Sequence, residues 1–375
     1  MAGIYVHIPF CASRCAYCAF HSTTRSGARD AYVSALCSEI DMYRGFPGKG
    51  RIKTLYFGGG TPSQLSTRQI YTITDKLSKV FDLSVLEETT LECNPDDITK
   101  KFLSGLNETP VTRISMGIQS LNDSVLSLIR RRHTASQALS SIRQCQEAGF
   151  SNISIDLIYG LPGQSAEEFR RDILRVIDSG VTHISAYCLT YEEGTPMHRM
   201  LTQGDITAAT DDECALMYGI LCDTMRENGF LHYEISNFCL PGYHSRHNSS
   251  YWDGTPYLGL GSGAHSFDGS VRRWNVADID RYMLGIASGE PEYGQETLTE
   301  TDRYNEFLML SLRTTAGISL SLMRELFGVN AVIDFLRDAG KWIQKGDLIH
   351  EAGRVRFSES GLFTSDGTVS SLFRE

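Results

Sequence analysis

Three cysteines, Cys11, Cys15 and Cys18, stand in the order C-x-x-x-C-x-x-C directly after the short strand-like run Ile4 to Ile8. Thiolates at that spacing hold soft metals. A structural zinc ion needs four filled positions, so His7, His21 or the more distant Cys37 would have to complete the set, and zinc sites usually pair C-x-x-C knuckles. An iron-sulfur cluster normally takes one cysteine per iron, so three cysteines on a [4Fe-4S] cluster leave one iron open to a non-protein ligand. The spacing favours the cluster and leaves zinc open.

A second stretch, Tyr56-Phe57-Gly58-Gly59-Gly60-Thr61-Pro62-Ser63-Gln64, reads as a strand running through three glycines into a helix. Thr61 is expected as the N-cap, Pro62 as the first helical residue and Gln64 as the partner in a capping box. Glycines there permit a close approach to the backbone. Neither the phosphate loop ending in Gly-Lys-Ser/Thr nor the dinucleotide pattern G-x-G-x-x-G is present. Glu92, Gln119 and Asp156 then recur at the carboxyl ends of successive strand candidates. One such residue could be a cap or a surface group. Three of them, beside the cysteine and glycine loops, point into one cavity, because loops converge at that edge of a parallel sheet.

The elements that must carry these residues alternate. Strands are expected at Ile4 to Ile8, Ile52 to Phe57, Thr89 to Cys93, Arg113 to Ile118, Ile153 to Ile158 and His183 to Tyr187. Helical spacing appears between them, as in Asp30 to Tyr43 and Ser136 to Ala148. Six strand-helix units imply parallel strands joined by right-handed crossovers, in a partial β/α barrel or a doubly wound sheet. The helix around Ala208 to Asn228 lines up Cys214, Met217, Leu221 and Met225, a stripe expected to be core. From Phe230 to about Glu296 the chain turns loop-rich, with many Gly, Tyr, His and Trp. Beyond Thr301 come helical patterns at Arg303 to Thr314, Ser319 to Phe327 and Ala331 to Lys345, then a hairpin around Leu348 and Phe357, as in a small winged-helix unit.

Of the 375 residues, 41% are hydrophobic and 21% charged, enough apolar material for a large core. Lys plus Arg number 35 and Asp plus Glu 45, a balance of −10 that opposes nucleic acid and anionic membrane surfaces. The start of the chain lacks the pattern of a secretory leader, and no apolar run is long enough to span a bilayer. A cytoplasmic location is expected, with the ten cysteines reduced rather than paired in disulfides.

The runs YVHIPFC, C-x-x-x-C-x-x-C, YFGGGTPS, LECNPDD, RISMGIQS and IDLIYGLPGQ, in this order, resemble the radical S-adenosylmethionine enzymes. They are most similar to the branch that holds oxygen-independent coproporphyrinogen III oxidase and its haem-chaperone relatives. The resemblance implies an α/β fold: a partial (β/α)6 barrel over residues 1–230, a loop-rich extension over 231–300 and a small winged-helix-like C-terminal domain over 301–375. It implies that Cys11, Cys15 and Cys18 hold a [4Fe-4S] cluster whose fourth iron is chelated by S-adenosylmethionine. Tyr5, Tyr17, Gly59, Gly60, Thr61, Glu92, Gln119, Arg131 and Asp156 match the cofactor pocket, although some of these matches belong to a second S-adenosylmethionine in the oxidase. In the family, reduction of the cluster cleaves the sulfonium to give a 5′-deoxyadenosyl radical.

Two departures from the oxidase matter. Phe20 stands where the oxidase carries a further cysteine, and only ten residues precede Cys11, where the oxidase has an extension. The chaperone side of the branch carries H-N-x-x-Y-W, present here as His247, Asn248, Tyr251 and Trp252. This implies haem as ligand with His247 on the iron, His244 and His265 being alternatives, and Tyr251 packing on the macrocycle. The expected function is therefore haem binding and delivery to acceptor haemoproteins, membrane-bound ones included, with porphyrinogen oxidation as the alternative.

Overall fold

The fold is described from a computed structural model, for residues 3–44 and 51–375. Six strands, β1 (Gly3–Ile8), β2 (Thr54–Gly59), β3 (Glu88–Cys93), β4 (Arg113–Gln119), β5 (Asn152–Tyr159) and β6 (His183–Cys188), lie side by side in sequence order, all parallel. Sequential neighbours with helical crossovers are the topology of a partial β/α barrel, not of a doubly wound sheet, whose strand order reverses.

Alternation gives the six strands two unlike faces. One face carries Ile4, Val6, Ile8, Leu55, Phe57, Leu91, Ile114, Met116, Ile153, Ile155 and Ile184, all buried against helices such as Arg29–Met42, which contributes Tyr32, Leu36 and Ile40. The register places Tyr5 beside Tyr56, Glu92 beside Ser115, and Asp156 between Gly117 and Ser185 on the other face. A period of two thus separates an oily outside from a polar inside.

The stretch read as loop-rich carries six short strands: β7 (Leu231–Glu234), β8 (Asn237–Cys239), β9 (Tyr257–Leu260), β10 (His265–Phe267), β11 (Val271–Asn275) and β12 (Tyr293–Thr297). The pair β8-β7 extends the sheet past β6, while β9 joins β1 in parallel and β10, β11 and β12 continue antiparallel, giving twelve strands. Runs of three to five residues rich in turn formers carry little periodicity of their own, so their pairing is decided by the edges of the existing sheet. Buried Glu39, on the helix Arg29–Met42, ties this extension down by accepting bonds from Gly261 N (2.7 Å), Asn275 Nδ2 (2.6 Å) and Tyr282 Oη (2.7 Å).

Further on, the helix Glu300–Arg313 precedes a three-stranded sheet of β13 (Ile318–Ser319), β14 (Leu348–Glu351) and β15 (Arg354–Phe357), in the order β13-β15-β14. The segment Leu320–Lys345 is two helices broken at Gly328, whose φ of 84° and ψ of 171° are non-helical, matching the two patterns in the sequence. Cys214, Met217, Leu221 and Met225 are buried in the core, and all ten cysteines are free.

Candidate functional site

The cysteine loop is pinned at both ends and in the middle. Cys11 N donates to Thr23 O (2.8 Å) and Thr23 N to Pro9 O (2.6 Å), closing the loop at its base. Ala16, fully buried, is gripped between two helices: its N–H donates to Ile129 O (3.0 Å) and its carbonyl accepts from Met197 N (2.9 Å). Around it a small core of Val125, Leu126, Ile129, Ile158, Leu161 and Met197 forms, with Tyr17 packed against it. The three thiols are left half-buried.

A continuous set of hydrogen bonds joins two of the sulfurs. Arg131 Nη1 donates to Cys15 Sγ (3.3 Å) and Arg131 Nη2 to Asn94 Oδ1 (2.7 Å). Asn94 Nδ2 donates to Thr61 Oγ1 (3.4 Å), which donates to Cys11 Sγ (3.5 Å). Thr61 therefore does not cap a helix. A short 3-10 turn, Pro62–Gln64, follows it with no side-chain cap, and the helix Thr67–Val80 is capped instead by Ser66 in a capping box with Gln69. The local pattern Thr-Pro-x-Gln mimics a cap, but here the hydroxyl is taken by the thiol.

The glycines serve packing. Gly60 N donates to Ile8 O (2.9 Å), and a Cβ on Gly60 would lie 2.9 Å from the Pro9 carbonyl carbon. Gly59, at φ +110°, has no room for a side chain because a Cβ would sit 2.4 Å from the His7 ring. What approaches these two backbones is the entry to the cysteine loop. Gly58, on the inner face, makes space for Tyr5 and Glu92, each 3.0 Å from where its Cβ would be.

Glu92 is held by Tyr56 Oη (2.7 Å) and Gly59 N (3.2 Å). Enclosure in the barrel, opposed by the Tyr56 bond and reinforced by the charge of Asp156, lifts its pKa to about 7. Desolvation likewise lifts Asp156 to about 6, against the pull of Arg113. Arg113 itself is fully buried at the start of β4, with Nε and Nη1 unpartnered among the described residues. Gln119 closes β4 in a left-handed conformation, φ 72°, beside a register shift, a strain of the kind that collects at functional sites. The structure thus brings Tyr5, Glu92, Gln119, Asp156 and Arg131 to the same side of the sheet or its carboxyl edge as the cysteines. Gly58, Tyr56 and Asn94 were missed. All three lie within the quoted motifs, but only their contacts mark them.

The H-N-x-x-Y-W stretch lies elsewhere. It forms a short helix, Arg246–Trp252, that closes the amino end of the barrel. Glu88 in β3 accepts the N–H groups of Arg246 and His247, both at 3.0 Å. His247 is fully buried, with Nδ1 paired to Thr54 Oγ1 and Nε2 to Tyr251 Oη, both at 2.9 Å, and its ring stacked on Tyr56. Burial depresses its pKa to about 3. Its neighbours Gly3 and Thr54 begin their strands, so about 16 Å of strand, five residues at about 3.3 Å each, separates it from the start of the cysteine loop.

Model families and relatives agree with this architecture. The Radical SAM superfamily matches residues 5–176 and the HemN C-terminal domain residues 298–364. The "Heme chaperone HemW" of Lactococcus lactis is 34% identical over 95% of this chain and 93% of its own length. The chain belongs to the HemW family of radical S-adenosylmethionine proteins. The protein of the same name from Bacillus subtilis is 35% identical over 88% of this chain and 87% of its own. In fold, the chain matches the solved coproporphyrinogen III oxidase HemN of Escherichia coli with a TM-score of 0.86, covering 99% of this chain and 90% of that one at 21% identity.

Membership in a radical S-adenosylmethionine family brings a [4Fe-4S] cluster and S-adenosylmethionine, and the residues present fit them. Among the described residues no three His, Cys, Asp or Glu side chains converge on a single-ion site. His7 and His21, the nearby candidates for a fourth zinc ligand, pair instead with Tyr5, the His21 carbonyl and Ser262. Beside the cysteine loop the buried Nε of Arg131 has no partner, and a carboxylate would satisfy it. Among the described residues no helix is long and apolar enough to cross a membrane.

Proposed function

We propose that this protein is a haem chaperone: it binds haem, carries a [4Fe-4S] cluster with S-adenosylmethionine, and passes haem to acceptor haemoproteins in the cytoplasm, membrane-bound acceptors included. The observation that carries this reading is the relationship to the HemW chaperones, 34% identity sustained over 95% of the chain. In this reading residues 1–230 form the radical S-adenosylmethionine barrel, 231–300 the haem-handling extension and 301–375 an accessory domain.

Cys11, Cys15 and Cys18 would hold the cluster, with Thr61 and Arg131 donating to sulfur and so easing its reduction. Tyr5, Tyr17, Gly59, Gly60, Glu92, Gln119 and Asp156 would form the S-adenosylmethionine pocket. Glu92 and Asp156, whose ionisation burial makes costly, would be stabilised as anions by a cationic ligand. Bound there, the cofactor would supply a reducible sulfonium. His247, Asn248 and Tyr251 would take part in haem binding, and for His247 to reach iron its bond to the Tyr251 hydroxyl must break.

Phe20, 71% exposed beside the cysteine loop, is where the oxidase has cysteine. We therefore expect no coproporphyrinogen oxidase activity. The test is anaerobic incubation of the reconstituted protein with coproporphyrinogen III, a reductant and S-adenosylmethionine, alongside haem transfer to an apo-haemoprotein. Haem transfer without porphyrinogen decarboxylation is expected. Robust protoporphyrinogen formation would replace this reading with the oxidase.

A further inference from the structure

The strands that widen the sheet beyond β1 continue its inner face. Tyr257 lies opposite Gly3, Phe267 opposite both Tyr257 and Arg272, and His265 opposite Trp274. Opposite residues in paired strands share a face, so these side chains stand on the side of Tyr5, the side that opens on the barrel. The surface they make is aromatic and solvent-accessible. The His265 and Trp274 rings stack at 5.9 Å and 25°, Phe267 meets Tyr257 at 6.4 Å, and Tyr257 meets Tyr251 edge-on at 4.7 Å. Gly294 lets the indole of Trp274 lie down on the sheet, since a Cβ there would be 2.4 Å from the ring.

Three histidines near this face, His7, His247 and His265, differ in the property that matters for iron. His7, on β1, pairs through its ring nitrogens with Tyr5 Oη (3.2 Å) and the His21 carbonyl (3.1 Å). His247 is fully buried with both ring nitrogens engaged. His265 is exposed, and among the described residues its ring contacts Trp274 while neither nitrogen has a hydrogen-bond partner. Resting on the haem-binding reading above, we infer that His265 is the imidazole that meets haem iron, with the macrocycle packed against Trp274, Phe267 and Tyr257. A free imidazole nitrogen is the commonest protein ligand to such iron, and a planar porphyrin needs aromatic area beside it. Arg272, 5.8 Å over the Phe267 ring, borders the face, with its guanidinium paired to Glu306 (2.7 Å) and Glu296 (3.4 Å). His247 then acts at one remove: it holds the Tyr251 hydroxyl, and Tyr251 supports the ring of Tyr257. It is a positioning residue.

The experiment is a ferric haem titration of the full-length, anaerobically reconstituted protein, following Soret absorbance and electron paramagnetic resonance, for wild type, His265→Ala, His247→Ala and Trp274→Ala. Loss of an exposed, unbonded side chain leaves the fold intact, which circular dichroism checks. His265→Ala is expected to weaken haem binding by about tenfold or more and to lose the wild-type ligation signature, which added imidazole restores. His247→Ala and Trp274→Ala lower affinity but keep the signature. An unchanged signature and affinity in His265→Ala, or loss of the signature in His247→Ala alone, overturns the assignment. A wild-type protein that takes up no haem refutes instead the chaperone reading on which it rests.

Discussion

Gly58 stands between the rings of Tyr5 and Tyr56 and the carboxylate of Glu92, with 2.9 to 3.0 Å to each from the place a Cβ would occupy. Replacing it with alanine moves these three side chains of the inner face, yet touches no residue of the cysteine loop. Gly58→Ala is therefore expected to weaken S-adenosylmethionine binding by about tenfold, on the order of 1.4 kcal/mol, while iron and sulfide content stay at the wild-type level. Isothermal titration against iron analysis separates the two, and equal loss of iron would count against the role given to Gly58. Asn94 illustrates the same limit on reading a motif. Glu92 stands out in LECNPDD because a carboxylate at a strand end invites attention, whereas Asn94 becomes meaningful only once Arg131 and Thr61 are found on either side of it.

At the scale of elements, the helix Arg246–Trp252 depends on a residue far away in the chain. Glu88 satisfies two of its free N–H groups, and Arg313 lies 4.6 Å over the Trp252 ring at its other end. Seven residues cannot sustain a helix in water. Glu88→Ala is expected to destabilise the protein by about 2 kcal/mol, the upper range for a lost cap, and to make the Trp252 fluorescence more solvent-exposed. Urea denaturation measures the first and quenching the second; a change below about 0.5 kcal/mol, the lower range for a cap, would mean that packing and the Ser245 cap hold the helix without Glu88. The six barrel strands needed no such help to be read. Each has an apolar run that ends at the polar inner face, and their observed bounds differ from the expected ones by one or two residues. The strands of the extension lacked that signal.

For the molecule as a whole, acid is the informative stress. Burial depresses His7 and His133 to about 4 and His247 to about 3, and pushes His183 down as well. Each is neutral in the fold and protonates more readily when unfolded, near 6.5, so its contribution is present above that pH and is lost as the pH falls toward its folded value. Glu92 and Asp156 work in the opposite sense, because their raised values cost stability as the pH climbs through about 6 and 7. Burial also lowers His21, His232 and His265 and raises Glu39, Asp96 and Asp172. With these seven histidines against five carboxylates, and surface carboxylates such as Asp41 and Asp268 held low by their partners, the thermal midpoint without cofactor is expected to change little between pH 8 and 6.5 and to fall from 6.5 to 4. A midpoint that rises throughout that acid range would show that the carboxylates dominate.

The positions of the six barrel strands along the chain, the cysteine loop, the glycine turn and the polar strand ends could be read from the chain because each is a local pattern: a period of two, a fixed spacing, a turn residue. Tertiary structure decided what no local pattern encodes. It gave the Thr61 hydroxyl to Cys11 rather than to a helix, moved His247 from an expected loop to a buried helix at the far end of the barrel, and left His265 open on an aromatic face. Those outcomes depend on which strands become neighbours, and hydrogen-bond partners separated by fifty to two hundred residues are chosen only when the sheet closes around them.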